Sequence, residues 1–412
     1  MTRDEALGWL LSTRKFGIKL GLENIRALLA GIGNPHTAVP SIHVAGTNGK
    51  GSVCAFLDSA IRAAGLRCGL YTSPHLVDFE ERIRVDGSPI PREAVADGLA
   101  RLRAVGESLP NPPTFFEYTT ALAFDRFASA GCEVAVVETG MGGRLDATNV
   151  VDPLVSVITP IDIDHAEWLG PTIAAIAREK AGIIKPGRPV VSAAQHPDAQ
   201  RVLVESARAA GAPLTFAGAP LTGPLGLRGP HQKSNSALAL AALAASGLGL
   251  PPEAIPRGFA AARWPGRFDV RPDGFVLDGA HNPHAARTLA RAWREEFPGR
   301  TAPVIFGCLS DKDARGILDA IAPVASRFLF VPVRESARAV DPACFRELTS
   351  KPSRVFPALA EAIGEAEAIG EAEAIGEAKA FGEAEADGSP VSGRVLITGS
   401  LFLVGEAISL LP

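Results

Sequence analysis

The chain has 412 residues, 47% of them apolar, and a net charge of −4. That length exceeds one ordinary core and predicts two domains; the near-balanced charge excludes a dedicated nucleic-acid surface. No apolar run reaches a membrane span, the start MTRDEALGWLL lacks a signal-peptide pattern, and five cysteines without metal-type spacing fit a reducing cytoplasm.

In chain order, the first informative stretch is SIHVAGTNGKGSVCAFL, Ser41–Leu57. Ile42–Ala45 reads as a buried strand, Gly46, Gly49 and Gly51 as a tight turn, and the residues from Ser52 onward as a helix. Strand, glycine turn and helix make a phosphate cradle, because small residues let backbone N–H groups and the helix N-terminus meet an anion. Lys50 would reach the outer phosphates and the Ser52 hydroxyl a magnesium ion. The spelling departs from the ordinary P-loop, since only two residues separate Gly46 from Gly49 and Gly51 intervenes before Ser52. The expected ligand is ATP.

Val- and Ile-rich runs then alternate with Ala- and Leu-rich amphipathic stretches. Strands are expected at Arg67–Tyr71, Glu133–Val137, Leu154–Ile158 and Pro189–Ser192, and helices at Tyr118–Ala130, Thr172–Ala181, Ala199–Ala210, Ser234–Ala245 and Pro252–Ala262. This predicts βαβ units around a mainly parallel sheet flanked by helices. Arg263–Phe268 is the expected hinge. A second, smaller α/β alternation follows, with strands at Phe275–Leu277, Val304–Phe306, Phe328–Val331 and Val395–Ile397 and a helix at Pro283–Glu296. The domains expected are 1–265 and 266–412. A six-residue repeat at Glu361–Asp387 reads as a surface helix or flexible excursion without chemistry.

Several residues after the strands could carry chemistry. Ser73, with Pro74 and His75, offers a metal-ligating hydroxyl or a turn residue, and the segment through Asp86 reads as a long loop. Glu138 follows a buried run directly, where either a magnesium-binding acid or a solvated strand end belongs; Gly140, Gly142 and Gly143 favour close ligand approach. His165 ends IDIDH and fits a metal ligand or a satisfied loop histidine. Glu179 and Lys180 suit an exposed helix face. His231, Gln232 and Asn235 could read an adenine edge or cap a helix. Arg267 suits phosphates and Asp278 a ribose hydroxyl, which would place ATP between the domains.

Taken together, GTNGKGS (46–52), TSPHL (72–76), FFE (115–117), ETGMGGRLDATN (138–149), EKAGIIK (179–185), HQKSN (231–235), WPGRF (264–268), DGAHNP (278–283) and TGS (398–400) resemble the folylpolyglutamate synthase/dihydrofolate synthase branch of the Mur ligase family. The resemblance implies an N-terminal P-loop ATPase-like domain and a C-terminal Rossmann-like domain. It implies ATP contacts at Asn48, Gly49, Lys50, Gly51, Ser52, Asn235, Arg267 and Asp278. Magnesium, as two ions, would be held by Ser73, Glu138 and His165. Lys180 matches a lysine carbamylated in relatives, and His281 falls in a motif near the transferred phosphate. Thr114, Phe115, Phe116, Glu117, Leu145, Asp146 and Ala147 match the pterin-holding stretches. The implied activity adds L-glutamate to folates, and to dihydropteroate, through an acyl phosphate. A monomer working on small molecules in the cytoplasm is expected, with neither nucleic acid nor membrane as partner. A UDP-dependent peptidoglycan-precursor ligase and a nucleotide-driven switch are the competing readings; the second would hydrolyse nucleotide without needing glutamate.

Overall fold

All five residues of β1, Ser41–Ala45, are buried, so both faces of this strand are covered and it belongs at the centre of a sheet. In the computed structural model, residues 1–17, 21–334, 338–381 and 394–412 are described, the side chains of 374–381 excepted. Contacts divide the chain into two units, Met1–Gly226 with Lys233–Arg263, and Leu227–Gln232 with Trp264–Pro412.

In the first unit the described strands are β1, β2 Cys68–Tyr71, β3 Ile83–Val85, β4 Ser88–Pro89, β5 Val134–Glu138, β6 Val155–Ile158, β7 Val190–Ser192 and β8 Leu214–Phe216. They form one sheet in the order β4-β3-β2-β5-β1-β6-β7-β8. The six strands from β2 to β8 in that order run parallel, and β3 and β4 are antiparallel additions at one edge. Here the structure corrects the sequence reading of 76–86 as a loop. Ile83 and Val85 alternate with Arg84 and pair with Tyr71 and Gly69, so a short strand is present where too few residues showed a period. Because β2, β5, β1 and β6 are adjacent and parallel, the segments leaving their carboxyl ends all emerge on one edge of the sheet.

The second unit has β9 Asp269–Val270, β10 Phe275–Asp278, β11 Ala302–Phe306, β12 Ala325–Phe330, β13 Ser353–Val355 and β14 Val395–Thr398. Their order is β13-β12-β11-β14-β10-β9, parallel except for the β9 edge. Its core gathers Trp293, Phe306, Phe328 and Phe330, all fully buried. No described helix is long and apolar enough to cross a membrane.

The repeat is a helix, Leu359–Phe381, and its start is structural rather than superficial. Leu359, Ala362, Ile363 and Ala366 are buried, at the i, i+3, i+4, i+7 spacing of one helix face. Repeat residues 382–387 lie outside the described residues. Ile363→Ala should therefore cost about 2 kcal/mol, whereas exposed Glu367→Ala should stay within about 0.5 kcal/mol of wild type. Calorimetric unfolding of the full chain distinguishes the two.

Candidate active site

β1 ends at Ala45 and the chain turns through Gly46 (φ 149°) and Gly49 (φ 89°). A Cβ on Gly46 would run into the side chain of Thr159, and one on Gly49 would lie 2.8 Å from Asn235 Oδ1. Both positions need glycine for conformation and for space. The helix starts at Lys50, two residues earlier than the sequence reading, with Gly49 as its N-cap. The N–H groups of its first turn have no partners within the helix. Thr47 anchors the loop: its N–H donates to Pro160 O at 3.0 Å, and its hydroxyl donates to Asp162 O at 3.0 Å.

Two lysines converge on this loop. Lys50 Nζ donates to Gly46 O at 3.2 Å and Thr47 O at 3.4 Å. Lys180, from the helix Ile173–Ala181, donates to the same Gly46 O at 2.7 Å. The reading of Lys180 as an exposed helix-face residue is corrected, since it is 4% exposed. Burial, and then the charge of Lys50, push its pKa down to about 7, with Asp164 and Asp146 opposing.

Glu138 closes β5 and is buried, and Ser73 donates its N–H to Glu138 Oε2 at 3.2 Å. The ends of β2 and β5 thus bring two of the three expected metal ligands into contact. His165 lies after β6 at φ 51°, with its N–H on Asp164 Oδ1 at 2.9 Å and its ring beside that carboxylate. Among the described residues no three His, Cys, Asp or Glu side chains form a metal-sized cluster. The carboxylate of Glu138 with the hydroxyls of Ser52 and Ser73 is nevertheless a hard-oxygen donor set, of the kind magnesium takes.

Asp146 organises the glycine-rich loop after Glu138. Its Oδ2 accepts the N–H groups of Gly140 and Met141, both at 2.9 Å, and its Oδ1 accepts from Thr148. Ala147 is buried and Leu145 half-buried beside it. Gly143 packs on the C-terminal turn of the Lys180 helix, where Arg144 N–H donates to Glu179 O at 2.7 Å. Thr114 and Glu117 form a reciprocal capping box on the helix Phe115–Ser129, which fixes where Phe115 and Phe116 stand. Phe116 rests against Gly140, where a Cβ would come within 2.5 Å of its ring.

Asn235 is the fifth residue of the helix His231–Ala245. Capping is therefore ruled out for it, and its amide instead flanks Gly49.

In the second unit, Asp278 ties two motifs together. It accepts the N–H of Phe268 at 2.7 Å and of Ala280 at 2.8 Å, which holds Phe268 at φ 46° and sets the course of the chain at Arg267. Burial raises its pKa, and Arg267 opposes that shift. His281 Nδ1 meets Gly279 O at 2.8 Å; a carbonyl only accepts, so the proton sits on Nδ1. Asn282 caps the helix Pro283–Glu296, with Pro283 at its first position.

Sequence reasoning missed Arg14 and Arg82, which flank Phe115, and the buried His43, whose Nε2 lies 2.8 Å from Thr148 Oγ1. The glutamates beside Arg82 made it resemble a solvated charge run, and no spacing marked the others.

In bicarbonate-free buffer, Lys180 imposes a sign on the pH dependence of stability. Its pKa is about 7 folded against 10.5 unfolded, so between those values the unfolded chain binds the extra proton. Stability should rise with pH across that window. Lys180→Met should be more stable than wild type at pH 7 and lack that part of the rise, as urea midpoints across the window would show.

The Mur ligase middle domain matches residues 44–217, and the Mur ligase glutamate ligase domain matches residues 266–376. A Bacillus subtilis dihydrofolate synthase/folylpolyglutamate synthase is 36% identical over 79% of this chain and 84% of its own length. A Halobacterium salinarum relative, described as a "probable bifunctional folylpolyglutamate synthase/dihydropteroate synthase", is 36% identical over 99% of this chain. This chain spans 51% of the length of that relative and 42% of a second halophile's. A bifunctional folylpolyglutamate synthase/dihydrofolate synthase from Yersinia pestis, solved with AMPPNP and a manganese ion, superposes with a TM-score of 0.84 at 32% identity, over 100% of this chain and 98% of that one. The chain belongs to the folylpolyglutamate synthase/dihydrofolate synthase family of Mur ligases.

Proposed function

We propose that this protein is an ATP-dependent carboxylate–amine ligase that adds L-glutamate to folates and to dihydropteroate. The observation that carries the reading is the glycine turn after β1. Its open helix terminus and Lys50 sit on the same sheet edge as the Glu138–Ser73 contact. Residues 1–265 would bind ATP and the pterin substrate, and 266–412 would serve glutamate ligation.

A carboxylate is a poor electrophile, so it must first be activated. The substrate carboxylate attacks the terminal phosphorus of ATP; the bond to ADP breaks and an acyl phosphate forms. Asn48, Gly49, Gly51 and Ser52 would cradle the phosphates through backbone N–H groups, and Lys50 would offset the charge on the transferred group. Asn235 would contact the nucleotide beside Gly49. Arg267, Asp278 and His281 are assigned further contacts with ATP and its transferred phosphate on the family resemblance. Ser73, Glu138 and His165, with Ser52, would hold magnesium as two ions, which supply charge neutralisation at the phosphates. The amine of glutamate then attacks the acyl carbon, loses a proton and expels phosphate, leaving the amide. Thr114, Phe115, Phe116, Glu117, Leu145, Asp146 and Ala147 would seat the pterin substrate.

Lys180 gains a role from its environment. Near pH 7 much of it is the neutral amine, the form that reacts with carbon dioxide. A carbamate would turn the second cation on Gly46 into an anion and relieve its repulsion with Lys50. We infer also a monomer in the cytoplasm, acting on small molecules.

Phosphate release from ATP should require glutamate together with tetrahydrofolate or dihydropteroate. Lys50→Ala and Glu138→Ala should each reduce it by about 100-fold or more with the thermal midpoint retained. Release indifferent to glutamate would instead indicate a nucleotide switch.

A further inference from the structure

Arg82 is 6% exposed and, among the described residues, makes no salt bridge. Its Nε donates to His75 Nδ1 at 2.7 Å. A guanidinium only donates, so Nδ1 accepts that hydrogen bond. His75 therefore orients the guanidinium without neutralising it. Arg82 Cζ lies 5.5 Å from the centre of the Phe115 ring. Arg14, exposed in the turn Thr13–Phe16, places its own Cζ 4.8 Å from the same centre.

Glu138, whose charge acts on Arg82, accepts the Ser73 N–H, and the acids Glu80, Glu81 and Asp78 beside Arg82 in the chain have partners of their own. Glu80 takes Arg3 through both oxygens, each at 2.8 Å. Glu81 accepts the N–H groups of Leu76, Val77 and Asp78. Asp78 lies 3.6 Å from Arg3 and 3.8 Å from Arg92. Among the described residues neither Arg14 nor Arg82 makes an ion pair, and the terminal nitrogens of Arg82 make no hydrogen bond. A buried guanidinium left in this state is a standing cost, which an arriving anion would relieve.

We propose that Arg14 and Arg82, arranged around Phe115, form a subsite for the α-carboxylate of the substrate's glutamyl tail. This rests on the ligase reading above and adds a specificity determinant to it. A non-reacting carboxylate suits the site better than the one to be activated. Guanidinium groups that stabilise a carboxylate's charge also oppose its attack on phosphorus, so holding the reacting group there would stabilise the ground state. Folates carry a second carboxylate beside the reacting one, and dihydropteroate does not. The subsite therefore favours chain elongation over the first glutamylation.

The test compares tetrahydrofolate with its α-amide, in ATP- and glutamate-dependent phosphate release by the full chain. Wild type should show a KM about ten-fold or more higher for the amide. Arg14→Ala and Arg82→Ala should raise KM for tetrahydrofolate by a similar factor, leave kcat within a few-fold, and treat acid and amide alike. Arg82→Lys should recover part of the loss. If Arg82→Ala fails to fold, exposed Arg14→Ala carries the same comparison. Wild type that accepts acid and amide equally, or variants that lose equally on both, would overturn the subsite while leaving the ligase reading standing. Wild type inactive with tetrahydrofolate would instead overturn the ligase reading itself.

Discussion

One carbonyl oxygen, that of Gly46, receives hydrogen bonds from the ammonium groups of both Lys50 and Lys180. Two like charges so close are unfavourable wherever water is scarce, and Lys180 is buried. The arrangement persists because packing imposes it. Gly143 seats the glycine-rich loop on the Lys180 helix, and Arg144 clasps the backbone of that helix at Glu179. The glycine turn after β1, the loop after Glu138 and the Lys180 helix therefore form one packed unit. Within it, Asp164 and Asp146 oppose the effect of the Lys50 charge on Lys180.

Around that unit, acidic side chains do two kinds of work. Asp146, Asp278 and Glu81 each spend both oxygens on backbone N–H groups, fixing loops that would otherwise wander at the ends of strands. Glu138 stands at the end of a strand whose two neighbours are parallel to it, and accepts the N–H of Ser73 there. With Glu80 on Arg3 and Glu81 on backbone amides, Arg14 and Arg82 make no ion pair among the described residues.

The α/β class, the β1–turn–helix unit and most strands were legible because a strand buried on both faces must be apolar throughout, as Val134–Val137 is. Glycines marked the turns that only they can make. β3 escaped because a three-residue strand shows too little alternation, and β8 because its residues are only partly covered. Lys180 looked like a surface lysine, since nothing in REK announces that a helix turns that position inward. Arg82 was hidden for the opposite reason: its neighbours Glu80 and Glu81 suggest local ion pairs, yet one reaches Arg3 and the other a run of backbone amides.

The helix Leu359–Phe381 has a genetic consequence. Its repeat is six residues long, so each unit adds about 9 Å of helix and rotates the next by about two-thirds of a turn; three units close after about five turns. Successive units are therefore rotated about the helix axis, and Ile363 of the first is buried whereas Ile369 of the second is only partly covered. Slippage during replication that adds or deletes a unit after Gly370 would fall beyond the last residue described as buried in this helix. A length change there would leave Leu359, Ala362, Ile363 and Ala366 in their places on the buried face.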